Sequence, residues 1–136
     1  MIGRCCIMIV LAFTVGCNAM RTTSDPPGVS LRVEPQTVAP GASIELILEN
    51  ESGAQIGYNL CTSALERVVN GTAQAVPSDR ICTMELRLLE SSQNARYTLQ
   101  LPADLSAGDY RMVARIERMN SAEMAGVTSN TFRVRR

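Results

Sequence analysis

From Val29 to the C-terminus the hydrophobic positions recur with a period of two. Val29, Leu31 and Val33 alternate with Ser30, Arg32 and Glu34, the pattern of a strand buried on one face, and Pro35 ends it. Pro40-Gly41 marks a turn. Ile44, Leu46 and Leu48 then alternate with Ser43, Glu45, Ile47 and Glu49 in a second strand. Asn50-Glu51-Ser52-Gly53 turns the chain into a third strand through Ile56, Tyr58 and Leu60, which runs into Cys61. Residues 65–69 and 72–76 flank Asn70-Gly71, a dipeptide that takes the positive φ values of a tight hairpin at little cost. Residues 81–89 mix Met, Glu, Leu and Arg and would also suit a helix; they are read as a strand because Cys82 has to stay pinned. Tyr97, Leu99 and Leu101 alternate and end at Pro102. A single helical turn is expected over 104–108. Tyr110, Met112, Ala114 and Ile116 follow, alternating with Arg111, Val113, Arg115 and Glu117. Phe132 and Val134 face inward on the last strand, and Val127 is out of phase with them, so a bulge or bend is expected near Ser129-Asn130.

Seven to nine short strands at spacings of about 8 to 14 residues, separated by turn residues, predict an all-β fold, an antiparallel β-sandwich. The chain of 136 residues has room for one such domain.

The first residues break the pattern. Arg4 precedes an uncharged run from Cys5 to Phe13, too short to span a bilayer as a helix, which takes about 20 apolar residues. A basic start, a short apolar run and then small residues describe a secretory signal. The small residues end in Thr14-Val15-Gly16-Cys17, which resembles the lipobox of bacterial lipoproteins, although Thr14 stands where Leu is usual. The resemblance implies cleavage before Cys17, acylation of its sulfur and new amino group, and residence in the bacterial cell envelope, facing periplasm or exterior. Acyl chains anchor through about 0.8 kcal/mol per buried methylene. An ordinary signal cut after Ala19, or an uncleaved anchor, are the alternatives. The expected organisation is a signal helix over 1–16, a lipidated N-terminus and polar tether over 17–28 with two prolines, and the sandwich over 29–136.

Removing the signal changes two counts. Cys5 and Cys6 leave with it and Cys17 carries lipid, so Cys61 and Cys82 remain as the one available pair. Export favours a disulfide between them. A redox or metal pair is the alternative, but there is no C-x-x-C, and two thiolates without His make a poor zinc site. The 13 basic residues, all Arg, balance 13 acidic ones, and losing Arg4 leaves a net charge of −1. Nothing there suggests attraction to nucleic acid.

Gly57-Tyr58-Asn59-Leu60-Cys61, Leu65-Glu66-Arg67, Arg80 with Cys82, Leu101-Pro102 and Gly108-Asp109-Tyr110-Arg111 together resemble a family of bacterial immunoglobulin-like domains, over about Val29 to Val134. The resemblance implies an immunoglobulin-like sandwich and a disulfide, and carries no activity. Where the family has an aromatic residue after the hairpin, this chain has Thr72-Ala73-Gln74-Ala75, which implies a thinner core there. Tyr110 looks like a tyrosine corner, whose hydroxyl bonds backbone upstream and locks residues 103–109.

Candidate chemistry is sparse. The chain has no His and no Lys, so no serine has an imidazole or amine base to activate it. Glu45 and Glu49 share a strand face about 13 Å apart, too far for a glycosidase pair. Ser24-Asp25 and Asp104 with Asp109 do not resemble a calcium loop. No catalytic residue, metal or cofactor is expected, and the chain is not read as an enzyme. Asn50-Glu51-Ser52 and Asn70-Gly71-Thr72 match the glycosylation sequon, which a bacterial lipobox makes accidental.

One surface feature remains. If the last two strands pair, Arg111, Arg115, Arg133 and Arg135 fall on one outer face and form a basic patch for an anionic envelope polymer, a lipid head group or an acidic protein. The alternative is a solvated face partly neutralised by Glu117. The reading is a lipid-anchored binding or structural module, touching the membrane through its acyl chains and an unknown protein or envelope polymer. A small exported protease inhibitor, with residues 62–79 as its loop, is the alternative.

Overall fold

The computed structural model describes residues 24–136. The expected signal, Cys17 and most of the tether lie outside the described residues. Residues 24–136 form an immunoglobulin-like β-sandwich of two sheets.

The smaller sheet has the order β1-β3-β8, with β1 at Val29–Glu34, β3 at Ser43–Asn50 and β8 at Gln93–Gln100, all antiparallel. Its inner face carries Leu31, Val33, Ile44, Leu46, Leu48 and Leu99, each at most 5% exposed. Their alternation in sequence is therefore the alternation of a pleat with one face in a core. Ile47 departs from it. It sits on the outer face yet is buried, with Arg32 and Arg96 on either side of it in register. Those arginines pair with Glu49 and Glu45, so their aliphatic stems are the side chains placed to cover it.

The larger sheet is built around β9, Gly108–Arg118, the longest strand. On one edge of β9 lie β10, Glu123–Thr128, and β11, Phe132–Val134. On the other lie β4, Ile56–Tyr58, and β5, Ala64–Val69. β6, Thr72–Val76, extends β5, and β7, Arg87–Leu89, extends β4. The two-residue β2, Thr37–Val38, pairs with β11 in parallel, so the sheet is mixed rather than purely antiparallel as expected.

The eleven strands among the described residues exceed the seven to nine expected, because long strands are broken. The bulge near Ser129-Asn130 is real. Thr128 opposes Val113 and Phe132 opposes Tyr110, so the strand beside β9 gains one residue between them. That residue shifts the pleat and buries both Val127 and Phe132. The opposite edge breaks more widely. Tyr58 opposes Ile116 and Ala64 opposes Val113, so five residues stand against two. The surplus coils into a short 3-10 helix, Leu60–Thr62.

Three further expectations are corrected. Only Arg87–Leu89 of residues 81–89 forms a strand, and Ile81 and Met84 are 95% exposed, so their side chains bury nothing that would hold them against a sheet. No helical turn forms over 104–108; a turn at Ala103-Asp104 suffices because Leu105 N–H donates to Pro102 O. The tether ends earlier than residue 28, since Pro26 is buried and Asp25 accepts a hydrogen bond from Thr128 N–H at 3.0 Å. Asn70 and Gly71 have φ of 50° and 76°, as their hairpin requires.

Two side-chain amides join the sheets. Asn130 accepts from Val33 N–H at 2.8 Å and donates to Val33 O at 3.2 Å, taking the place of a strand partner along β1. Asn50, fully buried, donates to Ala54 O and Leu89 O at 2.8 and 3.0 Å and accepts from Ser52 N–H and Oγ. Replacing Asn50 by Leu keeps the volume but takes the amide donor from the buried Leu89 carbonyl and from the part-buried Ala54 carbonyl. The expected loss is about 3 kcal/mol, read as a lower urea midpoint; an unchanged midpoint contradicts this role.

Candidate functional site

The break between β4 and β5 faces a second interruption, residues 77–86, which separates β6 from β7. Cys61 lies in the first and Cys82 in the second, and they form a disulfide with Cα atoms 5.8 Å apart. Two hydrogen bonds run parallel to it. Asn59 Nδ2 donates to Thr83 O at 2.7 Å, and Arg80 Nη2 donates to Ser63 O at 2.7 Å. Burial pulls the Arg80 guanidinium below the ordinary arginine value, and Tyr97 opposes that shift. The Nε and Nη1 groups of Arg80 are shielded from water and make no hydrogen bond.

Three covalent or polar ties thus hold residues 80–83, and Ile81 projects from their midst, 95% exposed. A segment fixed this way has already lost the freedom that binding would otherwise cost. The loop proposed from sequence, residues 62–79, is mostly the β5–β6 hairpin; the clamped segment lies just after it. The sequence puts residues 81–89 in a strand to keep Cys82 pinned, whereas the disulfide pins Cys82 outside any strand.

Beside the clamp lies a cavity of ≈ 270 Å³ lined by Leu65, Arg80, Leu99 and Leu101 among others. It is smaller than the usual range of small-molecule pockets, about 300–1,000 Å³.

The four arginines of the expected patch do share the outer face of the larger sheet, but they do not form one free basic surface. Arg111 stands opposite Glu66 on β5 and its Nε donates to Oε2 at 2.7 Å. Arg133 stands opposite Asp109, and Nε and Nη2 grip the carboxylate at 2.7 and 3.1 Å. Glu117 is not the neutralising group expected, since it pairs with no described arginine; Glu66 and Asp109 are. Arg135 lies near Asp109, while Arg115 lines a groove with Glu117, Leu86 and Met124. Tyr110 is placed as expected: its hydroxyl donates to Ser106 O at 2.8 Å and its ring stacks on Phe132 at 6.2 Å.

No family model and no curated protein matches this chain. Among solved structures it is similar to the alkylpurine DNA glycosylase AlkC of Pseudomonas fluorescens bound to DNA containing an abasic site analog, with 17% identity and a TM-score of 0.45 over 80% of this chain and 31% of that one. The chain thus spans about a third of the glycosylase's length. It is similar to the archaellum periplasmic stator protein FlaG of Sulfolobus acidocaldarius, with 18% identity and a TM-score of 0.41 over 74% of this chain and 98% of that one. It is also similar to a PapD-like domain of human CEP192, with 17% identity and a TM-score of 0.37 over 97% and 94% of the two chains.

Two outcomes follow from these contacts. Replacing Cys61 and Cys82 together by Ser releases a loop spanning a separation of 21 residues, and the expected loss is about 3 kcal/mol in urea unfolding. Amide exchange should rise over 77–86 while β9 stays protected; equal protection in both proteins contradicts the clamp. The hydrogen bond from Arg133 holds the Asp109 carboxyl below the ordinary aspartate value. Its stabilising share is therefore present above the ordinary aspartate range and is lost as pH falls through the lowered value. Arg133→Gln should return the Asp109 midpoint to the ordinary range by carboxyl NMR; an unmoved midpoint refutes the assignment.

Proposed function

We infer that this chain is a lipid-anchored lipoprotein of a bacterial cell envelope whose sandwich is a non-catalytic binding module, and that residues 77–86 are what it presents to a protein partner. The observation that carries the reading is Ile81, almost wholly exposed between three ties that hold its backbone. A large apolar side chain on a preorganised segment is the form of a binding anchor. The Thr14–Cys17 motif supports acylation at Cys17, and the polar run after it supports a tether. The lack of His and Lys supports a non-catalytic role, as does the engagement of Glu45, Glu49, Glu66 and Asp109 with arginines.

A second reading, protease inhibition, is favoured by one observation. Residues 77–86 contain no strand, and such a clamped, exposed run can lie in a protease cleft as a substrate does. Full-length chain carrying a photoreactive residue at position 81 should form an adduct with one envelope protein, and Ile81→Asp should bind that protein at least about tenfold more weakly. Labelled palmitate should enter the wild type and not Cys17→Ala. An unlabelled wild type removes the anchor, and an adduct-free position 81 removes the presented segment. Inhibition of a protease panel, lost in Ile81→Asp, would favour the second reading.

A further inference from the structure

The outer face of the larger sheet carries a second feature, which adjoins the presented segment 77–86 at Leu86. Leu88, Gly57, Glu117 and Met124 form one row across β7, β4, β9 and β10, set by register. Arg115 and Gly126 lie opposite one another in the next row but one. Leu88 and Met124 are 53% and 51% exposed, and Leu86, 48% exposed, overhangs Gly57. Gly126 leaves a hollow, since a Cβ there would meet only Val113 Cγ1, at 3.6 Å. Arg115 and Glu117, of opposite sign and on the same face of β9, make no ion pair with any described residue, although Arg111 and Arg133 on that face both do.

We propose that this face docks a second copy of the chain about a two-fold axis that crosses β9 at Ile116 and lies in the plane of the interface. A two-fold axis brings residue i against j and j against i. This one exchanges the rows of 115 and 117. Arg115 of each copy meets Glu117 of the other, and Met124 of each descends into the hollow over Gly126 of the other. The apolar margin of Leu86 and Leu88 meets its own counterpart. An axis along β9 would instead set Arg115 against Arg115, so the charges select the antiparallel pairing. Two charge pairs and two side chains filling glycine hollows fall together on one axis, which is the self-complementarity that commits the face to a second copy.

Sedimentation of the full-length chain in mild detergent tests this. The wild type sediments as a dimer. Arg115→Glu and Glu117→Arg each weaken association at least about tenfold, through like charges brought together. The double variant carrying both reversals recovers it, because the axis restores opposite signs; detergent micelles cannot produce that recovery. Gly126→Phe fills the hollow and gives a monomer, with its disulfide and circular dichroism unchanged. A wild type that is monomeric at high micromolar concentration overturns the proposal and leaves the face to a different protein. So does a double variant that stays monomeric while folded, or a dimer indifferent to all three single substitutions.

Discussion

Every backbone amide inside a sandwich needs a partner, and in the larger sheet β9 is the strand that meets this demand for its neighbours. It has two edges and serves four strands, so each edge is shared and each has a handover point. At the handovers the chain carries surplus residues. One residue is enough on the β10–β11 side, where Ser129 Oγ accepts from Met112 N–H at 2.9 Å and Ser129 N–H donates to Met112 O at 2.8 Å. On the β4–β5 side the surplus becomes the 3-10 helix, and the disulfide lands there. The clamped segment is thus the outer consequence of how β9 is divided.

The two sheets meet through apolar packing, and their relative position is then fixed by few polar contacts. Asn50 and Asn130 act across the gap, where backbone pairing between Leu31 and Ser129 is an isolated bridge, each amide supplying both donor and acceptor to backbone left over by strand ends. The chain between β1 and β2 changes sheets at Pro35, so β1 needs a substitute partner near its end, and Asn130 is that substitute. Charged side chains contribute differently. They pair on the outer faces between strands in register, where each is worth little alone but identifies which arginines are occupied.

Much of the fold was legible because strands buried on one face write their geometry in alternation. β1 and β9 follow it residue by residue, β3 does so except at Ile47, and the phase slip of Val127 marks the bulge. What was not legible has physical reasons. The hydrophobic character of Ile81 and Met84 looks the same in sequence whether the side chain faces a core or water. The arginine face was read correctly from alternation along one strand, but Glu66 and Asp109 arrive through cross-strand register, which alternation does not contain. The unpaired state of Arg115 and Glu117 is invisible for the same reason. Ile47, buried on the wrong face, needed the covering stems of residues on two other strands.

The burial of Asn50 has a consequence for how the chain is made. Asn50-Glu51-Ser52 is a sequon, and its amide sits at the centre of four hydrogen bonds with no room for a sugar. In a eukaryotic secretory host, glycosylation of the nascent chain and completion of the fold exclude each other at this residue. The exposed Asn70, at its hairpin tip, sets no such order of events. Whether such a host yields folded protein is therefore a race between a transferase and the closing of two sheets over one side chain.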